Sequence, residues 1–433
     1  MTGTVEAHRV TGGRPLVGTT TVPGDKSISH RALLLAALAE GASTITGLST
    51  GDDVVRTRVA ITVLGAGVEE QDGVVTVDGG RSRLAAPADP LDLGNSGTGM
   101  RLLVGVVAGV PGVTRLTGDG SLCSRPMDRV ADPLGWMGAS VVGMGEHCLP
   151  PLTVTGARLT GVDYTPPMAS AQVKGALLLA GLDADGETVV REPVATRAHT
   201  EEMLAESGAE VRVEPWGAGR VVRVRRSRLR PVDRTVPGDP SQAAFWVVAG
   251  CVVAGSRVVV GHVHLGPERI GFVDVLARMG ADVVVDVDAD GTGSVTASTS
   301  SLHGTTVEAA EIPSLDEVPI LAVAAMVAEG TTRFRDVGEL RVKESDRLAG
   351  TAALIRAFGG TASVEGDDLV VVGPGHLRPT SVDAAGDHRM AMAAAVAAAA
   401  CAGGTSQVTG WESVATSYPG FAATLERLAG MTR

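Results

Sequence analysis

The sequence predicts an α/β protein of two lobes, each made of three repeats with a buried helix. Three observations carry that expectation. The turn Thr21-Val22-Pro23-Gly24-Asp25 returns as Thr235-Val236-Pro237-Gly238-Asp239, and both copies run straight into an apolar helical stretch. One pattern also recurs along the chain: a polar start, a run of small apolar residues, a Gly, then a Thr/Val-rich strand. It begins near Ser27, Gly97, Ala171, Ser241, Val318 and His388, a spacing of about 70–77 residues. Finally, each such unit continues into a second helix, often ending Leu/Met-Gly-Ala/Gly, where Gly suits a left-handed C-cap.

The elements follow in order from these patterns. Leu33-Leu34-Leu35-Ala36-Ala37-Leu38 is apolar nearly all round, which marks a helix buried on most sides. Second helices are predicted over Val54–Gly67, Arg129–Ala139, Thr200–Ala209, Ile270–Ala281 and Asp346–Gly360. Val74-Val75-Thr76-Val77 and Val211-Arg212-Val213 have the period of strands. Six units divide into three and three, and the two Val-Pro-Gly-Asp turns bracket the first three. The chain is therefore expected to cross between lobes near 21–24 and 236–240. Residues 1–22 and 238–433 form one discontinuous lobe, residues 23–237 the other, and the active site lies in the cleft between them.

Composition narrows the function. Hydrophobic residues make up 44% of the 433 positions and charged ones 20%, as in a soluble globular protein. Aromatics are only 3%, so Ala, Val and Leu must build the core. Cys123, Cys148, Cys251 and Cys401 have no paired spacing, which argues against a disulfide framework or a zinc site and fits a reducing, cytoplasmic setting. The N-terminus has no basic-then-apolar signal pattern. The apolar run Ala391–Ala402 is too short to span a bilayer. A net charge of −12 excludes nucleic acid and anionic membranes as expected partners. An anionic ligand would need cations concentrated in one place.

The cations are concentrated in that way. Polar residues precede or open each buried helix: Lys26-Ser27 with Arg31; Gly94–Thr98 with Arg101; Ser124-Arg125-Pro126; Ser170-Ala171-Gln172 with Lys174; Thr196-Arg197; Asp316-Glu317; Arg341–Arg347; and Asp387-His388-Arg389. A Pro-Gly turn before a Ser-capped helix start leaves backbone N–H groups beside Lys26 and Arg31, an arrangement suited to an anion. In the second copy of the turn Pro240 replaces Lys26, so the first copy is read as chemical and the second as structural. Taken alone, the same motif suits an ordinary capped helix, Asp316 a plain N-cap, and Arg341–Arg347 a solvated helix face. His388 and Arg389 sit at the helix end where the macrodipole disfavours cations, which calls for an anion nearby. Gly94–Gly99 is not a dinucleotide fingerprint, and nothing matches a Walker A loop. Cys123 reads as a small buried hydrophobe rather than a nucleophile.

These motifs resemble the 5-enolpyruvylshikimate-3-phosphate synthase family of enolpyruvyl transferases. The resemblance runs from Val22 to about Leu428 through Pro23–Ser27 with Arg31, Gly94–Thr98, Arg125-Pro126-Met127, Ser170-Ala171-Gln172, Asp316–Pro319, Arg341–Arg347 and Asp387–Met392. It implies the two-lobed enolpyruvyl transferase fold, six βαβαββ units closing over the ligands. It also implies transfer of the enolpyruvyl group of phosphoenolpyruvate to the 5-hydroxyl of shikimate 3-phosphate, in a monomer with no metal and no organic cofactor.

Carried over by motif, Lys26, Ser27, Arg31, Ser170, Gln172, Arg197, Asp316 and Lys343 are expected to hold shikimate 3-phosphate. Lys26, Gly97, Arg125, Gln172, Arg347, His388 and Arg389 are expected to hold phosphoenolpyruvate. Two polyanionic ligands need several cations, and Arg matches carboxylate and phosphate geometry. The chemistry needs a base for the hydroxyl and an acid for the methylene carbon. The resemblance assigns Asp316 to the first role and Glu344, with Lys26, to the second.

Two departures stand out. Ala171 stands where the family often has a second Ser, and Thr416 stands where many members have Lys. The related UDP-N-acetylglucosamine enolpyruvyl transferase is the alternative reading. It carries a reactive Cys where this chain has Gly120, and Asn where this chain has Ser27. A non-catalytic anion-binding module would give no reason for Asp316 and Glu344 to stand among the cations.

Overall fold

The computed structural model describes residues 7–431. The chain divides into two compact units, one joining the stretch up to Pro23 with everything from Pro237 onward, the other running from Gly24 to Val236. Both junctions fall inside the repeated Val-Pro-Gly-Asp turns. In the first turn the backbone of Gly24 packs so closely on the Gly47 carbonyl that a Cβ would collide with it.

Six helices are buried nearly all round. They are α1 (Lys26–Leu38), α2 (Gly97–Val107) and α3 (Ala171–Gly181) in the 24–236 unit, and α4 (Pro240–Val252), α5 (Val318–Val327) and α6 (His388–Ala400) in the other. Small residues let them approach. A Cβ on Gly105 of α2 would overlap the Ala176 carbonyl of α3, so these two helices meet backbone to backbone. Ala-rich α6 packs on both α4 and α5, and the residues from Met390 to Ala399 are all buried.

The strands repeat one plan. In the second repeat Leu91–Asp92 lies parallel to Gly112–Thr117, which is joined antiparallel by Leu149–Gly156 and then Ser140–Met144. With the buried helix and a second helix between strands, the order is βαβαββ. Five sheets have this four-strand form. The first repeat of the 24–236 unit takes its leading strand from that unit's far end, where Arg234–Thr235 pairs with Gly41–Thr46. The other unit takes Val17–Thr20, parallel to Arg257–His264. Its last sheet has three strands, and there His8–Thr11 lies antiparallel on Thr405–Thr409. Among the described residues no strand follows helix Phe421–Leu428, and His8–Thr11 takes the outer position on Thr405–Thr409.

The second helices are shorter than their sequence pattern suggests: Asp52–Leu64, Asp128–Trp136, His199–Glu206, Gly271–Arg278 and Arg347–Ala357. Each stops before a glycine of positive φ: Gly65, Gly138, Gly208, Gly280 and Gly359. The predicted spans had run one or two residues past these left-handed stops.

Candidate active site

In the 24–236 unit the starts of the three buried helices lie together. Arg31 fixes two of them: its Nη1 donates to the Ser27 carbonyl at 2.9 Å and its Nη2 to the Ala171 carbonyl at 3.3 Å. Its Nε donates to Thr200 Oγ1 at 2.7 Å. Arg101, one turn into α2, donates to Gln172 Oε1 at 2.7 Å, and Gln172 Nε2 donates to Thr98 Oγ1 at 2.9 Å. Converging N-termini place partial positive charge and cationic side chains in one region, the requirement for an anion site.

The first turn is capped by Asp25, not by serine. Asp25 Oδ1 accepts from the Ile28 amide at 2.9 Å. A carboxylate there takes up a donor that the Ser-capped reading had left to a ligand, because Asp reaches the N3 amide as readily as Ser does. Ser27 Oγ instead accepts from Arg197 Nη1 at 3.0 Å. Lys26 Nζ lies 2.9 Å from Asp53 Oδ2. Ser170 caps α3 by accepting from the Val173 amide at 3.3 Å. His30, fully buried, sits between Thr57 Oγ1 at 2.8 Å and Ser96 Oγ at 3.5 Å. Burial, then Lys26 and Arg31, bring its imidazole down to about 3, so it is neutral and joins the Asp53 helix to the start of α2.

Arg125 Nη2 donates to Asn95 Oδ1 at 2.6 Å and to Ser121 Oγ at 3.2 Å. Its guanidinium lies over Gly97. A Cβ on Gly97 would stand 2.8 Å from Arg125 Nη1 and 3.3 Å from Arg101 Nη1. The glycine is therefore needed for a close approach of guanidinium to backbone.

In the other unit one guanidinium gathers three carboxylates. Arg347 is 1% exposed at its side chain. Its Nε lies 2.7 Å from Asp387 Oδ2, its Nη1 3.0 Å from Asp316 Oδ1 and its Nη2 2.6 Å from Glu344 Oε2. Arg389 Nη2 lies 3.2 Å from Asp316 Oδ2. Burial alone would push the Asp387 carboxyl up, but Arg347 and His388 outweigh it and hold the group below the ordinary carboxylate range. Asp387 is also the cap of α6, accepting from the Arg389 amide at 2.9 Å.

The anion called for by His388 and Arg389 is thus present in the protein's own carboxylates. Asp316 is not a helix cap: α5 begins at Val318 with Glu317 before it, which leaves Asp316 to the two guanidiniums. Thr416 Oγ1 donates to the Ser413 carbonyl at 2.7 Å, so its 3.1 Å contact with His388 Nδ1 makes that nitrogen the donor.

Two further cations of these motifs face carboxylates of their own. Lys343 Nζ pairs with Glu339 at 2.9 Å, one helical turn back. Lys174 is wholly buried between Glu192 and Glu201. The second copy of the turn is a buried polar knot: Asp239 pairs with Arg269 at 2.9 Å, and Ser241 donates to Glu317.

Sequence reasoning missed Asp53, which stands just before a predicted helix, and Thr200, a neutral residue at the start of another. Glu192 and Glu201 showed no signal beyond being acidic near a strand and a helix. Among the described residues no group of three His, Cys, Asp or Glu could hold a metal ion. No described helix is long and apolar enough to cross a membrane.

The family model for EPSP synthase (3-phosphoshikimate 1-carboxyvinyltransferase) matches residues 10–425. A 3-phosphoshikimate 1-carboxyvinyltransferase of Gloeobacter violaceus is 47% identical over 432 residues, covering 98% of this chain and 99% of that one. One of Streptococcus uberis is 43% identical over 420 residues, covering 96% and 97%. The solved EPSP synthase of Acinetobacter baumannii superposes with a TM-score of 0.85 at 38% identity, covering 98% of each chain. The enolpyruvyl transferase NikO of Streptomyces tendae, at 24% identity and a TM-score of 0.77, shares the fold.

Proposed function

We propose that this chain, which belongs to the EPSP synthase (3-phosphoshikimate 1-carboxyvinyltransferase) family, transfers the enolpyruvyl group of phosphoenolpyruvate to the 5-hydroxyl of shikimate 3-phosphate, releasing phosphate. One observation supports the chemistry beyond the family: Asp316 and Glu344 share the Arg347 guanidinium, so proton-transfer groups stand beside a group that binds anions. Lys26, Ser27, Arg31, Ser170, Gln172, Arg197, Asp316 and Lys343 are assigned to shikimate 3-phosphate. Lys26, Gly97, Arg125, Gln172, Arg347, His388 and Arg389 are assigned to phosphoenolpyruvate. Arg125, Arg347 and Arg389 answer its carboxylate and phosphate through charge-assisted hydrogen bonds.

In the reaction the 5-oxygen adds to carbon 2 of phosphoenolpyruvate and its proton passes to Asp316. A proton is delivered to the methylene carbon, to which Glu344 and Lys26 are assigned. Removal of a methyl proton and cleavage of the carbon–oxygen bond to phosphate then restore the enol ether. These steps call for no metal or organic cofactor. A cytoplasmic monomer is part of the same proposal, and light scattering in solution reads its mass.

The test is phosphate release from phosphoenolpyruvate. It is expected only with shikimate 3-phosphate as acceptor and is expected to be unchanged by chelators. Turnover with UDP-N-acetylglucosamine, or with neither acceptor, would overturn the assignment.

Gly97→Ala gives a second expected result. The added methyl displaces Arg125, because 2.8 Å is too short for carbon against a guanidinium nitrogen. Phosphoenolpyruvate binds less tightly, and glyphosate, a longer anion proposed for the same site, loses more. The ratio of the glyphosate inhibition constant to the phosphoenolpyruvate KM is therefore expected to rise. An unchanged ratio would remove Gly97 from the inhibitor's surroundings.

A further inference from the structure

We infer that Lys174, which makes no part of the assigned ligand contacts, is a positioning residue for shikimate 3-phosphate, acting through the segment that carries Arg197. The inference rests on the proposed reaction. Lys174 lies in the first turn of α3, and its side chain is 0% exposed. Its ammonium uses all three donors: Glu192 Oε2 at 2.9 Å, Glu201 Oε1 at 2.7 Å and the Arg197 carbonyl at 3.0 Å.

Arg220 completes the arrangement. It lies 3.7 Å from Glu192 and 3.5 Å from Glu201, and its Nη2 donates to the Thr196 carbonyl at 2.7 Å. Thr196 Oγ1 in turn donates to Glu192. Two cations and two carboxylates thus balance in charge, and two successive carbonyls, Thr196 and Arg197, are each held by a cation. The segment 193–198 between strand Glu187–Glu192 and helix His199–Glu206 has no regular structure. This buried clamp fixes its path.

The clamp matters because of what that segment presents. The Arg197 side chain reaches Ser27, and Thr200, the second residue of the following helix, receives Arg31 Nε. Arg197, Ser27 and Arg31 are all assigned to shikimate 3-phosphate and none to phosphoenolpyruvate. Loosening the clamp moves Arg197 and the partner of Arg31 together, and a displacement near 1 Å at a positioning group costs up to about 10²-fold. The effect falls on one substrate. A merely structural role would lower stability without telling the two substrates apart.

The experiment measures both KM values in Lys174→Met and in the double variant Lys174→Met, Glu201→Gln. The double variant keeps the buried charge balanced while deleting the bond to the Arg197 carbonyl. In each the KM for shikimate 3-phosphate is expected to rise about tenfold or more. The phosphoenolpyruvate KM, measured at saturating shikimate 3-phosphate, and kcat are expected to stay within about threefold. Should neither variant fold, Thr196→Val keeps all four charges and removes one tether. It is expected to raise the shikimate 3-phosphate KM severalfold. Equal shifts in both KM values, or no shift in either, would overturn the positioning role. Absence of turnover by the unaltered chain would overturn the proposed reaction and this inference with it.

Discussion

Asp316→Asn and Glu344→Gln are each expected to lower kcat by about 10²–10⁴-fold, the range for loss of a proton-transfer group. Both substitutions preserve shape. In Asp316→Asn the side-chain amide oxygen would still accept from Arg347 Nη1, a bond now 3.0 Å long. In Glu344→Gln an amide oxygen still faces Arg347 Nη2. Neither leaves Arg347 without an anionic partner, since Asp387 remains. Phosphoenolpyruvate binding is expected to survive or tighten, because Asp316 and Glu344 compete with an anionic ligand for the same guanidiniums. Turnover and equilibrium binding of phosphoenolpyruvate, measured side by side, separate the two effects. Near-normal turnover in both variants would show that neither carboxylate moves a proton in the slow step. A parallel loss of binding would make them binding groups.

Arg347→Met is expected to cost about 3–5 kcal/mol of unfolding free energy, the range for removing one partner of a buried ion pair. It would leave the fully buried Asp387 beside Asp316 and Glu344 with their shared guanidinium gone. The sign of the pH dependence identifies the cause. In the unaltered protein Asp387 is held below its ordinary value of 3.8. The unfolded state therefore binds the proton more readily, and this contribution is full above pH 3.8 and lost as pH falls through the folded value. Without Arg347, burial and the neighbouring carboxylates push Asp387 up. The folded state then binds the proton more readily, and stability falls as pH rises above the unfolded value. Denaturant unfolding of Arg347→Met at pH 5 and pH 7, conditions chosen for the test, should show the lower pH to be the more stable. Adding Asp387→Asn should recover part of the loss. A variant with the same pH slope as the unaltered chain would mean that Asp387 does not depend on Arg347.

Much of the fold was legible because its signals are local. The six buried helices announced themselves by runs such as Leu33–Leu38 and Ala393–Ala399, apolar on every face, and their polar starts stood in the preceding residues. The left-handed stops at Gly65, Gly138, Gly208, Gly280 and Gly359 were equally local. Helix ends were misjudged by a few residues where a small residue, Ala or Gly, followed such a stop. The N-terminal strand His8–Thr11 shows no pattern that names its partner, since Thr405–Thr409 lies almost the whole chain away.

For the candidate site, the sequence by itself determined which residues stand at the helix starts and that cations outnumber carboxylates there. It also identified the turn at Pro23–Asp25 as a repeated device. Tertiary structure alone decided what each charge faces. Lys174 and Arg347 look alike in the sequence, each a cation in a polar motif. One is enclosed by Glu192 and Glu201 beneath the site, and the other gathers Asp316, Glu344 and Asp387 at it. Lys343, four residues from Arg347, turns to Glu339 instead. Asp25 displaced serine as the cap because the N3 amide lies within reach of its carboxylate. Water screens opposite charges when they are exposed. Burial removes that screening, so a partner within hydrogen-bonding distance fixes what a charge can do. The packing that buries these groups brings together segments far apart in the chain, and a linear pattern does not record their separation.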